Sequence, residues 1–228
     1  MNRKISFVLV WLLFSFSSFD AFGASAFSMY GGKTIGGGRD AIAVGLGYPG
    51  LFFEYGHGLT SQFDIGFRFE FDYGFPPGDL FTSIGLVLGV PMRWNLLSKG
   101  IVDLAIRFQP SLFMGYTPDH HWHHHYWWHG HFYYIGLGLD LGVPIGIKVH
   151  PRVTILTGMS IPASIFFISD PESANGAIPV AIHIGTEVHI TNNLNFLFLI
   201  RVGPAIFFGE HTDVDAYLNV YAGIEFLF

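Results

Sequence analysis

Residues 119–131 read DHHWHHHYWWHGH. Seven of the thirteen are His (His120, His121, His123, His124, His125, His129 and His131) and three are Trp. Neutral imidazoles are ligands for Zn²⁺, Ni²⁺ or Cu²⁺. In an extended segment His121, His123 and His125 share one side, and the other four can come round in a loop. The spacing matches no defined site such as HExxH. The chemistry it implies is the loose divalent-metal affinity of any His-rich tract. The same seven imidazoles would also gain charge together near their ordinary pKa of about 6.5, which would make the stretch pH-responsive. The third reading is a polar-aromatic surface loop. No cofactor is required by any of these readings, and the choice depends on where the fold puts the stretch.

The 228 residues are half hydrophobic and only 12% charged, with 29 Gly and 25 Phe. That is too apolar for an ordinary soluble domain and far from disorder. There is no Cys, so disulfides, thiolate metal sites and cysteine nucleophiles are excluded. Met1-Asn2-Arg3-Lys4 is basic, residues 5–19 are almost wholly apolar or Ser, and small residues follow. Residues 1–26 are therefore expected to be a secretory signal peptide, cut after Gly23 or Ala26, leaving 27–228 as the mature chain. A cut after Ala26 leaves nine basic against sixteen acidic side chains, a formal charge of −7. An acidic chain of this kind is no nucleic-acid binder.

Residues 63–73, FDIGFRFEFDY, alternate strictly. Phe63, Ile65, Phe67, Phe69, Phe71 and Tyr73 lie on one face, and Asp64, Gly66, Arg68, Glu70 and Asp72 on the other. Period two means a strand. The pattern recurs over 80–94, 101–116, 133–149, 178–190, 194–208 and 216–228, more loosely over 153–167, and in a short hairpin over 40–59 turning at Tyr48-Pro49-Gly50. The polar members of the second face include Asp103, Arg107, Asp140, Lys148, Glu187, Arg201 and Glu225.

About ten strands follow, with eight as the alternative. Many are of the length, about 9–11 residues, that a tilted strand needs to cross a bilayer. Helical spans are disfavoured, because charged or His residues interrupt most candidate segments at strand spacing. The expected fold is all-β: a closed antiparallel transmembrane β-barrel, apolar outside and polar within. Closure is compulsory, since lipid cannot satisfy a sheet edge.

Connections alternate between compact (60–62, 95–100, 150–152, 191–193) and generally longer (76–79, the His-rich run, 169–177, 210–215), as the periplasmic turns and outer loops of bacterial outer-membrane barrels do. The chain ends in a strand carrying Phe226 and Phe228. This ending resembles the C-terminal signature that the outer-membrane barrel assembly machinery reads. Residues 186–198, TEVHITNNLNFLF, look like the strand–Thr-x-Asn-Leu–strand turn of the OmpA-like small outer-membrane barrel superfamily, and 58–69 like a weaker copy. The resemblance covers the barrel domain alone; no peptidoglycan-binding domain is apparent. It implies residence in the outer membrane among lipid and carries no activity.

Five strands follow the His-rich run, an odd number of crossings from a periplasmic C-terminus. The run then lies outside, with Trp122, Tyr126, Trp127, Trp128, Tyr133 and Tyr134 near the headgroups, where amphipathic rings are favoured. The inward charges Asp64, Arg68, Glu70, Asp72, Asp103, Arg107, Asp140, Lys148, Glu187, Arg201 and Glu225 read as a cross-strand ion-pair network.

Some small outer-membrane barrels are enzymes acting on lipid A. His189-Ile190-Thr191-Asn192 faintly resembles their His-x-Ser pair, but it carries Thr for Ser and falls at an expected turn, so no catalytic residue is assigned. The function expected is a structural or surface-interaction barrel, not an enzyme, with an outer loop able to hold Zn, Ni or Cu. A narrow channel for small solutes is the alternative, and a lipid-modifying enzyme comes third. The surface ligand is unknown.

Overall fold

A computed structural model describes residues 27–75, 79–117, 132–169, 172–208 and 212–228. The expected signal peptide (1–26) and the seven histidines of 120–131 lie outside the described residues. Within them are twelve strands: β1 (Asp40–Tyr48), β2 (Gly50–Gly58), β3 (Phe63–Phe75), β4 (Asp79–Gly89), β5 (Met92–Lys99), β6 (Val102–Thr117), β7 (Phe132–His150), β8 (Val153–Ser169), β9 (Glu172–Pro179), β10 (Ala181–His189), β11 (Leu194–Phe208) and β12 (Asp213–Leu227).

The twelve strands occupy ten positions in the wall. β4 and β5 both pair with β3 and β6, and β9 and β10 both pair with β8 and β11. Each couple is one stave interrupted at a proline, which has no N–H to give the ladder. Pro91 interrupts the first and Pro179 the second. Val90 N still reaches Pro110 O at 3.0 Å, and Val180 N reaches Pro204 O at 2.8 Å, so the wall is not breached. β12 pairs with β1 from Ala41↔Leu227 to Tyr48↔Val220. Asp40 and Phe228 exchange backbone bonds of 3.1 and 2.8 Å and finish the seam. The result is the closed, ten-stave antiparallel barrel that the alternation predicts.

The two faces differ as sharply as the sequence pattern does. On β7, Ile135, Leu137, Leu141 and Val143 are exposed, Leu137 at 67%. On β12, Leu218, Ile224 and Phe226 are exposed while Asn219 and Glu225 are buried. The outer surface is thus apolar and the buried space holds the charges, the reverse of a soluble barrel. Phe226 and Phe228 both point out, and their rings stack at 6.1 Å.

Two expected connections are instead wall. Residues 95–99 extend β5 through a bulge between Asn95 and Leu97, leaving a tight turn at Gly100, where φ is +61°. Asn95 is held in the wall because its amide reaches inward to Gly32 O at 2.6 Å. Residues 172–177 likewise belong to β9, with Ser169↔Glu172 already paired. The Asn-Gly pair there suggests a turn, but Gly176 serves packing: a Cβ on it would stand 2.2 Å from the Phe208 ring.

The alternation assigns no strand ahead of β1, and the structure gives that stretch a place. Residues 27–35 are not part of the wall. They run inside the barrel, where Phe27, Met29, Tyr30 and Ile35 form one apolar cluster with Ala41, Ala43, Phe52, Leu156, Leu197, Leu199, Tyr221 and Leu227. This cluster is the core of the molecule, and it sits at the end with the short turns.

Candidate functional site

The lumen has a plugged half and a hollow half. The plug is residues 27–35, and many of its polar groups find a wall partner. Arg93 donates to Ser28 O and Gly31 O, Asn95 to Gly32 O, Asn195 to Phe27 O and Arg107 to Met29 O. Carboxylates take the donors: Ser28 Oγ gives to Glu187, Met29 N to Glu225 at 3.2 Å, Tyr30 Oη to Glu54 at 3.0 Å, and Ile35 N to Asp64 at 3.1 Å. Thr34 Oγ1 reaches Ser61 O in the first short turn at 2.8 Å. Gly32 passes so close to the wall that a Cβ would lie 2.1 Å from Asp103 O.

Above the plug lies a belt of charge. Glu54 receives Arg68 at 3.0 Å and Arg107 at 2.9 Å, and Arg68 also holds Glu70 at 2.7 Å. The buried Arg68 guanidinium lies 4.6 Å from the Phe52 ring centroid and 5.1 Å from that of Tyr221, so cation–π attraction adds to the ion pairs. Tyr221 Oη donates to Glu70 at 2.7 Å. Salt bridges this dry contribute little net stability, but breaking one strands a charge.

All eleven carboxylates, arginines and lysine assigned from the sequence to the inner face lie there, ten in four groups and Asp72 apart. Asp64, Glu187 and Glu225 hold the plug, with Arg93 closing on Asp64 at 2.6 Å. Arg68, Glu70 and Arg107 make the belt. Asp103 and Lys148 pair at 3.0 Å, with the lysine one-third exposed. Asp140 and Arg201 pair higher up, where Arg201 also donates to Ser160 Oγ and to His183 Nε2. Asp72 stands on the cavity wall, and its Oδ1 has no hydrogen-bond partner among the described residues.

The hollow half is a cavity of about 230 Å³, bordered by Arg68, Asp72, Arg107, Asp140, His183 and Arg201. A second cavity of about 160 Å³ abuts it, walled by Phe113, Tyr134, Phe166, Phe207 and Tyr217. Thr117 and Phe132 are paired at that end of β6 and β7, so the connection 118–131 with its seven histidines springs from the mouth of the hollow half.

Sequence reasoning did not include Glu54, Arg93, Asn95, Asn195 and Asn219 in the network. Glu54 was legible, since Phe52, Glu54, Gly56 and Gly58 share one parity on β2 and are all buried. Ser28 and Tyr30 carried no such signal. His189 lies inside, but Asn195 Oδ1 at 2.8 Å and Thr154 Oγ1 at 3.0 Å engage both ring nitrogens. Thr191 Oγ1 accepts from Asn193 N within the turn. The two do not form a nucleophile–base pair. Among the described residues no group of three or more His, Asp or Glu is arranged to hold a metal.

What these features define is a class: a ten-stave barrel, apolar outside, with charges within and a plug formed by its own chain. No known family matches the sequence, and no curated protein does. Among solved structures the chain is similar to the outer membrane protease OmpT from Escherichia coli, at 9% identity and a TM-score of 0.42, over 83% of this chain and 93% of that one.

Proposed function

We propose that this chain is a bacterial outer-membrane barrel with a closed lumen and a structural or surface-interaction role. One observation carries the reading: residues 27–35 fill the short-turn half and are bonded to the wall on several sides. While it stays in place, such a segment leaves solutes no open path through that half. The exposed apolar belt suits lipid, and the paired final and first staves suit assembly by a machinery that reads Phe226 and Phe228. The short turns then face the periplasm, and residues 118–131 face outward. There the seven histidines and their aromatic neighbours form the surface offered to partners, with any Zn, Ni or Cu captured by that loop. No catalytic residue is assigned.

Planar-bilayer recording of the purified protein tests this. The expected outcome is no unitary conductance over hours in 1 M KCl, and discrete steps once residues 27–35 are deleted. Steps in the intact protein would favour the alternative, a narrow channel. That alternative requires the plug to leave, and the cavity beyond it gives solutes a place to wait.

A further inference from the structure

The plug carries an imbalance. Glu187 and Glu225 are both fully buried, at 0% exposure. No Lys or Arg makes a salt bridge with either among the described residues. Glu225 accepts from Met29 N and from Asn195 Nδ2 at 2.9 Å. Glu187 accepts from Ser28 Oγ through Oε1, and its Oε2 has no hydrogen-bond partner. The Arg93 guanidinium is committed to Asp64 and to the carbonyls of Ser28 and Gly31. A carboxylate buried without a counterion is costly enough that proteins rarely keep one.

Both carboxylates bind the plug close to Phe27. Ser28 touches Glu187 and Met29 touches Glu225. The carbonyl of Phe27 is held by Asn195, whose same amide nitrogen holds Glu225. Phe27 itself is buried at 1% exposure. The bond before it, Ala26–Phe27, is one of the two cleavage points that the small residues suggest.

We infer that the mature chain begins at Phe27 and that its α-ammonium is the missing counterion of the Glu187–Glu225 pair, so that export processing completes the plug. An export signal peptidase hydrolyses the Ala26–Phe27 bond. Water supplies the hydroxyl that leaves as the carboxylate of Ala26, and the freed amine of Phe27 takes a proton. Before the cut that nitrogen is a neutral amide with one hydrogen. Afterwards it is a cation with three donors, one residue from Ser28, whose hydroxyl holds Glu187, and two from Met29, whose amide holds Glu225. A terminal residue is tethered on one side only and can turn its nitrogen to Glu187. A cut after Gly23 would leave three more residues and carry the charge away from the pair.

This inference rests on the reading of residues 27–35 as a plug, and its test is separate from conductance. Protein exported from a full-length gene is purified from membranes and its N-terminus is mapped by mass spectrometry. Phe27 is the expected first residue; Ala24, or any other, overturns the proposal. An amine-reactive reagent near pH 7 is then applied to the folded and the urea-unfolded protein. The Phe27 amine should react about tenfold slower or more when folded, since labelling requires the plug to open locally. Equal rates overturn the proposal. Glu187→Gln should return most of the lost reactivity, and Glu225→Gln part of it. If both variants fold and remain fully protected, the carboxylates are not the partners. If neither variant folds, N-terminal mapping and wild-type labelling still decide. Conductance in the intact barrel would sink the closed-lumen reading without touching these results.

Discussion

The two halves of the lumen are built from the same alternation and the same residue types, yet they are finished differently. In the short-turn half the charges converge on each other and on the plug. Glu54 alone gathers Arg68, Arg107 and Tyr30. In the long-connection half Asp140 has one arginine, and Asp72 Oδ1, Asp140 Oδ1 and Asn219 Oδ1 are buried with no hydrogen-bond partner, against Glu187 Oε2 in the short-turn half, among the described residues. A wall of this size does not fill itself with side chains throughout. The chain adds its own leading segment at one end, and the other end stays hollow. One half is organised for closure, and the other lies at the end from which the longer connections leave.

If that contrast is right, the largest loss should come from the belt. Glu54→Ala leaves Arg68 and Arg107 buried with one partner fewer, and should cost about 3–5 kcal/mol. In the hollow half, Asp140→Asn should cost less, since it leaves one arginine rather than two short of a partner, and Arg201 keeps Ser160 and borders a cavity able to hold water. Urea unfolding in lipid vesicles compares the two. Equal losses would erase the distinction between the halves.

Next comes the lipid face. Leu141 lies midway along β7 and points outward, 44% exposed. Leu141→Arg should cost about 2–4 kcal/mol if that point is near the bilayer midplane. Its neighbour Gly142 points inward, where a Cβ would meet nothing closer than 3.4 Å. Gly142→Ser should therefore leave the unfolding midpoint almost unchanged. A reversed order would put the stave in the wrong phase.

The plug itself is expected to be weaker than the wall. Gly32→Val forces a side chain into the Asp103 carbonyl, 2.1 Å from where its Cβ must stand. The wall ladders do not depend on it, so the barrel should still migrate as folded on an unheated gel. The plug should be displaced, exposing Phe27, Met29 and Ile35, whose burial contributes about 1.5–3 kcal/mol each. The readouts are bilayer conductance and protease access near residue 30. A silent, protease-resistant variant would mean that the plug is not what closes the lumen.

The wall was legible from residues because its periodicity is local. Phe63 to Tyr73 shows both faces within eleven positions, and β-pairing then follows from closure. The inner charges were legible for the same reason, as Arg68 and Glu70 must share a face. The plug was not, because its partners are remote in sequence. Ser28 and Glu187 are 159 positions apart, and Met29 and Glu225 are 196 apart. FSMYGGKTI has no period to betray it. Extension of β9 over Asn175 and Gly176 was hidden by turn residues whose smallness serves Phe208 instead.

The smallest structural effect should come from the most conspicuous residues. His120, His121, His123, His124, His125, His129 and His131 lie between two strands already paired at Thr117 and Phe132. Replacing all seven by Asn or Gln removes nothing from the described wall. Heat-modifiable folding and the unfolding midpoint should therefore match the parent. Retention of Zn²⁺ or Ni²⁺ by the purified protein should fall sharply. Inside the barrel His183 is engaged by Ser160 and Arg201, and His189 by Thr154 and Asn195. Neither presents a free pair of donors to an ion. Parent binding should weaken below about pH 6, as protons compete for imidazoles of ordinary pKa near 6.5. A variant that keeps its metal would move the ligands inside the barrel. A variant that fails to close would make the loop part of the wall, and the contrast between a sealed half and a hollow half would have to be redrawn.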